Sequence, residues 1–299
     1  MIIVRTPLRI SIAGGGTDLP SWFNKHGSMF ISAAINKYIY ITYHRSDFDK
    51  RIRLRYSRME EVDSIDEIQH DIIKETFGAY GIKDSVELTS HAEIPSGTGL
   101  GSSGSFGVGI LHAIFGKYAD PAQLALRATD IQMVNLKHPI GIQDQYVAAY
   151  GGVNVYELKQ DGSIKVSPIE PPQGLELFFT GFKRDANEVL RASSQDGLFR
   201  IQELAWETKK ALEEKDYRKY GEILNEHWQH KKMRGGMTNP QIDEWYELGL
   251  KNGAVGGKLV GAGGGGFLLF YTEDKEKLIN ALPLQHIPFG YDIEGSKVI

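Results

Sequence analysis

Pro95-Ser-Gly-Thr-Gly-Leu-Gly-Ser-Ser-Gly-Ser105 is a glycine- and serine-rich segment between a predicted strand and a predicted helix. Before it, Val86–Thr89 alternates apolar and polar residues as a half-buried strand does. After it, the small-residue run from Ser103 is typical of a helix. Glycines let the backbone approach a ligand closely, and the amides at a helix N-terminus attract anions. The segment therefore predicts an anion-binding loop, in which the serine hydroxyls can contact phosphate oxygens or a Mg²⁺ ion.

Two other kinds of nucleotide loop compete for this segment. Gly99-x-Gly101-x-x-Gly104 satisfies the dinucleotide fingerprint, which keeps an NAD-dependent oxidoreductase as an alternative. Against that reading, Pro95 precedes the loop, the strand before it is not continuously apolar, and no second βαβ unit follows. A Walker A loop is excluded, because Lys258 is followed by leucine and lacks the upstream glycine spacing.

The composition is that of an ordinary globular protein. The 299 residues include 34 Lys+Arg, 38 Asp+Glu and no cysteine, which excludes disulfides, thiolate metal sites and a cysteine nucleophile. A formal net charge of −4 gives no general attraction to nucleic acid or to an anionic membrane. The first residues lack signal-peptide features, and no stretch reaches the ~20 apolar residues of a membrane span. We therefore expect a cytoplasmic protein that binds neither nucleic acid nor membrane.

Strand-like and helix-like segments alternate along the chain and predict an α+β fold. Ser64-x-x-Glu67 reads as a capping box that opens a helix, and Asp120-Pro121 predicts another helix that runs towards Leu136. Three prolines within residues 167–174 indicate a connection between two halves. The predicted domains are residues 1–170 and residues 171–299.

Three glycine-rich motifs occur in order: Thr6-Pro-Leu-Arg-Ile-Ser-Ile-Ala-Gly-Gly-Gly-Thr-Asp18, the Pro95–Ser105 segment, and Lys258-Leu-Val-Gly-Ala-Gly-Gly-Gly-Gly266. Together they resemble the motifs of the GHMP small-molecule kinases, and the resemblance covers nearly the whole chain. It implies a two-domain α+β fold: a ribosomal-protein-like N-terminal half with a left-handed βαβ unit, and a ferredoxin-like C-terminal half. The active site is then expected in the cleft between the halves.

Further segments are most similar to one subgroup of that family. Pro139–Tyr146, Gly181–Arg184 and His227–Lys232 resemble the D-glycero-D-manno-heptose 7-phosphate kinases. The resemblance implies ATP-dependent phosphorylation of the anomeric hydroxyl of this sugar phosphate to the 1,7-bisphosphate, in nucleotide-activated heptose biosynthesis. L-Fucokinase domains share much of the pattern, so a kinase for another sugar such as L-fucose stays open. A non-catalytic sugar- or nucleotide-binding protein on a kinase scaffold also stays open, as does a homodimer.

The resemblance assigns two catalytic residues. Asp144 matches the aspartate that accepts the proton of the attacking hydroxyl. Arg9 matches the arginine beside it, which keeps that carboxylate ionised and screens the transferred phosphoryl group. From the residues alone, Asp144 could also be a solvated turn carboxylate, and Arg9 a strand charge directed to solvent.

The resemblance also implies which residues hold ATP and the sugar phosphate. The expected ATP-binding residues are Pro95, Gly97, Gly99, Leu100, Gly101, Ser102, Ser103 and Gly104. The expected substrate-binding residues are Gly15, Gly16, Thr17, Asp18, Arg184, Lys231, Lys232 and Gly264. The residues alone also allow purely structural roles: an Asx turn or helix cap for Asp18, and a solvated basic face for the cations.

Magnesium is the cofactor expected beside ATP. Ser103 matches the serine that ligates Mg²⁺ in the family, and the position usually taken by a second ligand, a glutamate, is Gln132 here. A neutral amide is a poorer ligand for this hard cation than a carboxylate. The substitution therefore puts the strength of Mg²⁺ binding in question.

Overall fold

The structure, a computed structural model, describes residues 1–184 and 186–299 as two β-sheets with helices packed against them. The strands are β1 (Ile2–Ala13), β2 (Ser28–Arg45), β3 (Ile52–Arg55), β4 (Met59–Val62), β5 (Val86–Ala92), β6 (Val153–Leu158), β7 (Ile164–Pro168), β8 (Leu175–Phe179), β9 (Ala254–Leu259), β10 (Phe267–Thr272), β11 (Gln285–Ile287) and β12 (Lys297–Val298). The helices are α1 (Pro20–His26), α2 (Asp71–Ala79), α3 (Ser102–Phe115), α4 (Pro121–Thr129), α5 (Gln143–Tyr150), α6 (Ala186–Ala192), α7 (Leu198–Glu213), α8 (Tyr217–Lys232), α9 (Pro240–Lys251) and α10 (Lys275–Ala281).

The larger sheet is organised around the long strand β2. Its path runs β12-β1-β2-β5-β3-β4, and β6 and β7 continue from the first half of β2. One edge of β2 pairs with β1 along most of its length, while the other edge pairs first with β6 and then with β5. All pairs are antiparallel except β3 with β5. The C-terminal strand β12 joins this sheet beside β1, so the two ends of the chain lie side by side.

Helix α3 packs tightly on the larger sheet because its sequence is rich in small residues. A Cβ on Gly109 would come within 2.9 Å of the Thr6 hydroxyl and 3.0 Å of Ile41, so the glycine brings the helix close to β1 and β2. Helices α4 and α5 pack beside it around a second apolar cluster that includes Leu111 and Val147. This packing fixes the start of α3, where the glycine-rich segment ends.

The smaller sheet has the order β11-β8-β10-β9 and is antiparallel throughout. In chain order this is 4-1-3-2, the arrangement of a β-α-β-β-α-β ferredoxin-like unit. Helix α8 lies on β9, and a Cβ on Gly256 of that strand would come within 1.9 Å of the carbonyl oxygen of Gly221. The predicted ferredoxin-like C-terminal half is therefore confirmed.

The two sheets share one apolar core. Helix α7 contacts β1 and β2, and Leu204 of α7 lies in the same buried cluster as Ile41 of the larger sheet and Leu269 of the smaller one. Backbone contacts join the halves as well, since a Cβ on Gly99 would stand 2.7 Å from the Val260 carbonyl oxygen. The cleft is thus bounded by two closely packed halves.

Two predicted helix boundaries differ from the structure. The Ser64 hydroxyl accepts a hydrogen bond from the amide of Asp66, and only a single 3₁₀ turn, Ile65–Glu67, follows. The turn ends because the next residues are extended and the Gln69 amide bonds to the Glu60 carboxylate at 2.7 Å, so the α-helix begins later, at Asp71.

The helix predicted to run from Pro121 towards Leu136 changes its hydrogen-bonding pattern on the way. It is α-helical to Thr129 and continues as a π-helical stretch, Asp130–Asn135. None of the helices in the described part of the chain is long and apolar enough to span a membrane.

The contact between α8 and β9 gives a stability prediction. Gly256→Ala forces a methyl group against the backbone of α8, so we expect the free energy of unfolding to fall by about 1–3 kcal/mol. Gly78→Ala is the matched control, because the nearest atom to its Cβ is 3.9 Å away inside a helix, and alanine there gains roughly 0.5–1 kcal/mol. Urea unfolding measures both. Equal midpoints for the two variants would contradict the close packing.

Candidate active site

A cleft of about 440 Å³ lies between the two halves. Its lining combines the Pro95–Ser105 segment, residues of β1, the start of α5, and the glycine-rich turn after β9. All three motifs singled out in the sequence therefore meet at one place.

The Pro95–Ser105 segment forms the loop predicted from its glycines. Gly97, Gly99 and Gly101 have φ between +74° and +81°, a region in which side chains are strained, and Gly101 directly precedes α3. The hydroxyl-bearing Ser102 and Ser103 stand at the first turn of the helix and line the cleft with these glycines. Free amides and the positive end of α3 therefore face the cavity, as an anion site requires. Pro95, Leu100 and Gly104 lie outside the lining.

Arg9 and Asp144 form an ion pair at the base of this loop. Arg9 Nε donates to Asp144 Oδ1 at 2.7 Å, Nη2 lies 2.7 Å from the same oxygen as an ion-pair contact, and Nη1 donates to the Gly99 carbonyl at 2.6 Å. The Arg9 residue is 6% exposed, whereas the Asp144 side chain is 27% exposed and faces the cleft. Asp144 also packs on the loop, since a Cβ on Gly104 would reach its Cβ at 2.5 Å. The predicted pair is thus assembled next to the anion loop.

Asp18 is held beside Asp144 by backbone amides. It accepts hydrogen bonds from the amide of Gly16 at 3.0 Å and from the amide of Gln143 at 3.2 Å. Burial, with the nearby Asp144 carboxylate second, raises the pKa of Asp18, and the two amide bonds oppose that shift. A Cβ on Gly141 would stand 1.8 Å from Asp18 Oδ2, so only glycine leaves room for this carboxylate.

The neighbouring Thr17 is not in the cleft lining. Its hydroxyl donates to the Gly14 carbonyl at 2.7 Å and is 2.6 Å from the Ser28 hydroxyl, and the residue is fully buried. The substrate role predicted for Thr17 is therefore replaced by a structural one beneath the loop. Gly15 and Gly16 do line the cleft.

The C-terminal half supplies a group of buried cations to the cleft wall. Lys231 donates to the carbonyls of Leu259 at 2.8 Å and Gly261 at 2.6 Å, and Lys258 donates to the carbonyl of Ile12 at 2.9 Å. Burial, followed by repulsion from Arg9, lowers the pKa of Lys258 to about 7. Burial, with repulsion from Lys258, holds the pKa of Lys231 well below its ordinary value.

Arg234 and His227 extend this group. Arg234 donates to the Ser194 carbonyl at 3.0 Å and to the Ser193 hydroxyl at 3.2 Å. Burial lowers the pKa of Arg234, whereas Asp18 raises it. His227 is 3% exposed, and its pKa lies well below the ordinary value because of burial and the surrounding cations.

Two residues predicted to contact the substrate, Lys232 and Gly264, lie outside the cleft lining, and a third, Arg184, lies at the anion loop. Lys232 points away from the cleft, with its ammonium 3.8 Å from Asp243 and 5.7 Å from the Trp228 ring. Gly264 packs against Arg184 outside the lining. Arg184 lines the cleft, but its backbone amide bonds to the Gly97 carbonyl at 3.1 Å, which places it at the anion loop.

The predicted metal position is buried behind the loop. Gln132 is fully buried, its amide nitrogen is 3.5 Å from the Ser103 carbonyl, and its Oε1 has no partner among the described residues. No group of three His, Asp or Glu residues suited to a metal ion occurs within residues 1–184 and 186–299. The oxygen donors that line the cleft here are the hydroxyls of Ser102 and Ser103 and the carboxylates of Asp144 and Asp71, while the unpaired amide oxygen of Gln132 lies buried behind the loop.

Several cleft residues are not among those predicted to act there. His138 and Asp71, 2.9 Å apart, stand near the serine end of the loop, and Ser11 lies under Gly15. His227 and Lys258 begin two of the segments that carry the family resemblance, and Arg234 follows the first of these two segments. Their depth in the cleft depends on how the two halves pack, which local sequence patterns do not report.

The buried lysines predict how stability depends on pH. Lys258 has a folded pKa of about 7 and an ordinary value of 10.5, so between these values the unfolded chain binds more protons. The free energy of unfolding should therefore rise from pH 7 to pH 9, by at most about 1.4 kcal/mol per pH unit for one such group.

Denaturant unfolding at several pH values tests this. Lys258→Met should flatten the rise, while Lys209→Met, which removes a surface lysine paired with Glu213, should leave it intact. The same slope in all three proteins would show that Lys258 is not a buried, destabilised cation.

Comparison with known proteins agrees with this geometry. The model of the GHMP kinases N terminal domain matches residues 68–152, the model of the GHMP kinases C terminal region matches residues 208–286, and between them they cover more than half of the chain. D-glycero-alpha-D-manno-heptose 7-phosphate kinase of Campylobacter jejuni is 29% identical over 99% of this chain and 98% of its own length. A galactokinase of Pyrococcus furiosus is 24% identical over 93% and 91%.

A solved structure extends the likeness to three dimensions. The D-glycero-D-manno-heptose 1-phosphate kinase from Bacteroides thetaiotaomicron superposes with a TM-score of 0.81 at 25% identity, over 100% of this chain and 99% of its own. These matches rule out the NAD-dependent oxidoreductase that the glycine pattern had left as an alternative. The chain belongs to the GHMP kinase family, and it is an ATP-dependent phosphotransferase of the sugar-kinase kind.

Proposed function

We propose that this kinase transfers the γ-phosphoryl group of ATP to the anomeric hydroxyl of D-glycero-D-manno-heptose 7-phosphate and releases the 1,7-bisphosphate for nucleotide-activated heptose biosynthesis. The observation that carries the proposal is the Arg9–Asp144 pair, which stands between the anion loop and the Asp18 carboxylate. The names of two relatives, both heptose phosphate kinases, support the substrate class.

In this proposal Asp144 is the general base. The hydrogen bond and the ion-pair contact from Arg9 both go to Oδ1, so we assign Oδ2 to the substrate hydroxyl. The carboxylate takes the hydroxyl proton as the sugar oxygen attacks the γ-phosphorus, and the bond from that phosphorus to the β,γ-bridging oxygen breaks to release ADP. The guanidinium of Arg9 holds the Asp144 carboxylate in place and offsets charge on the transferred group.

The remaining roles follow the position of each residue. The glycine loop, Ser102 and Ser103 bind the triphosphate with Arg184 beside them, and Asp18 accepts hydrogen bonds from sugar hydroxyls. Mg²⁺ usually binds proteins through one or two carboxylates plus substrate phosphates, and the donors at the loop fit such a sparse site. Ser103 would hold the ion with the phosphates, and the ion would neutralise their charge.

The domain division at residues 170 and 171, a homodimer and a cytoplasmic location belong to the same proposal. Apart from the C-terminal β12, the last strand of the larger sheet along the chain is β7, which ends at Pro168, and the smaller sheet begins with β8 at Leu175, which supports the division. Light scattering on the purified protein tests the dimer.

Asp144→Asn tests the chemistry. We expect kcat to fall by about 10²–10⁴-fold, because the amide cannot accept the proton, while ATP binding is retained. Asp47→Asn is the control and should keep full activity, because Asp47 is an exposed aspartate in the loop between β2 and β3. ADP release is followed with the heptose 7-phosphate, mannose, fucose and galactose. Turnover of a neutral sugar alone would overturn the heptose assignment, and an active Asp144→Asn enzyme would overturn the role of the base.

Gln132→Glu tests the metal. A carboxylate beside Ser103 supplies the ligand that the amide lacks, so we expect the Mg²⁺ concentration for half-maximal activity to fall several-fold. Gln123→Glu, on the exposed start of α4, is the control for added charge. If Gln132→Glu leaves the Mg²⁺ dependence unchanged, Gln132 does not lie at the metal.

A further inference from the structure

The cleft wall contributed by α8 and β9 carries more buried positive charge than the nearby carboxylates can balance. Arg234 is 4% exposed, Lys231 6% and Lys258 2%. Within the described residues none of these three cations forms an ion pair, whereas Arg9 on the opposite wall pairs with Asp144. Burying unpaired charges is costly, so such a cluster is stabilised when an anion enters it.

His227 adds an unsatisfied polar group to the same wall. Neither of its ring nitrogens has a partner within the described residues, although the side chain is almost completely buried and lines the cleft. A buried polar group without a protein partner is unusual in a folded protein, and one that lines a cleft is placed to bind a water, an ion or a ligand. Lys231 lies one helical turn further along α8, on the same face.

Contacts place Arg234 away from the anion loop. The loop packs on Asp144 through Gly104, and Asp18 bonds to the amide of the residue before Asp144. Asp18 in turn bonds to the amide of Gly16, and Arg234 Nη1 lies so close to Gly16 that a Cβ there would be 2.4 Å away. The contacts therefore lead from the loop to Asp144, then to Asp18, then to Gly16 and finally to Arg234. A ligand that meets Asp144 at one end can therefore meet Arg234 at its other end.

We propose that Arg234 and His227, supported by the charges of Lys231 and Lys258, form a subsite for the phosphomonoester group that the sugar substrate already carries. This proposal rests on the proposed function, and it attributes the preference for a phosphorylated sugar to these residues. The planar guanidinium is suited to phosphate oxygens, and a protonated or neutral imidazole offers a further donor. The subsite leaves out Lys232, which is bound to Asp243 on the outer side of α8.

The lowered pKa values of His227 and Lys231 agree with a phosphate subsite at this wall. Burial and repulsion from the other cations hold the pKa of both His227 and Lys231 below their ordinary values. A bound dianion offsets that repulsion and favours the protonated forms. The cations that act on His227 come from α8, from the turn after it and from β9, and the carboxylate that acts on Arg234 is Asp18.

Arg234→Met tests the subsite with two substrates that differ only in the phosphate: heptose 7-phosphate and the free heptose. We expect kcat/KM for the phosphorylated sugar to fall by about 10–100-fold, mainly through KM, and that for the free heptose to change less than threefold. Arg218→Met is the matched control, because it removes an exposed guanidinium of α8 that pairs with Glu273. Equal losses on both substrates, or no loss, would overturn the subsite.

His227→Phe provides a second variant that fills the same space without a donor. It should raise KM for the phosphorylated sugar in the same selective way while the KM for ATP stays constant. If Arg234→Met does not fold, this variant carries the comparison, and an unselective effect overturns the proposal.

A binding measurement separates this proposal from the proposed function. With a non-hydrolysable ATP analogue saturating the loop, inorganic phosphate should raise the Tm of the wild type and of Arg218→Met but not that of Arg234→Met. If the wild type phosphorylates no heptose 7-phosphate but shows this Arg234-dependent shift, the proposed function fails and the anion site stands. If it phosphorylates the sugar phosphate and phosphate gives no such shift, the function stands and the subsite is wrong.

Discussion

A buried arginine in the middle of a strand sets the geometry of the whole cleft. Arg9 lies in β1 among apolar neighbours, and a guanidinium there must find partners or the fold loses stability. It finds them in the Asp144 carboxylate and the Gly99 carbonyl, so three separate elements are tied to one side chain. Irregular pairing of β1 with β2 on both sides of Arg9, after Pro7 and after Ser11, accompanies this arrangement. Such irregularities re-aim side chains near functional sites.

The two walls of the cleft have opposite electrostatic character. Asp18 and Asp144 stand on the N-terminal side, held by backbone amides and by Arg9. The C-terminal side presents Lys231 and Lys258, whose ammonium groups are held by backbone carbonyls and not by carboxylates. Carbonyl dipoles orient these amino groups without supplying a counter-charge, so a bound anion favours their protonated forms. A substrate with both hydroxyl groups and a phosphate matches this division.

The sequence allowed much of the N-terminal site to be predicted, since its chemistry is local. Glycines with positive φ, a helix start and serines in one short segment define the anion loop wherever the chain places it. The partnership of Arg9 with Asp144 could be named only through the family resemblance, because 135 residues separate them. Thr17 shows where prediction from local sequence fails, since its buried hydroxyl is hydrogen-bonded to the Gly14 carbonyl and the Ser28 hydroxyl.

The cations of the second half were harder to predict, because burial decides their role. Lys231 and Lys232 are adjacent in sequence, yet successive helical residues point about 100° apart, so one faces the cleft and the other Asp243. Arg234 lies just beyond the end of α8, where helical spacing no longer indicates direction. The close backbone contact of Gly99 with Val260 then brings this wall against the loop. Because a Cβ on either Gly99 or Gly261 would collide with the opposite backbone, each half fixes the position of the other, and the loop cannot take its shape without the turn that carries the cations.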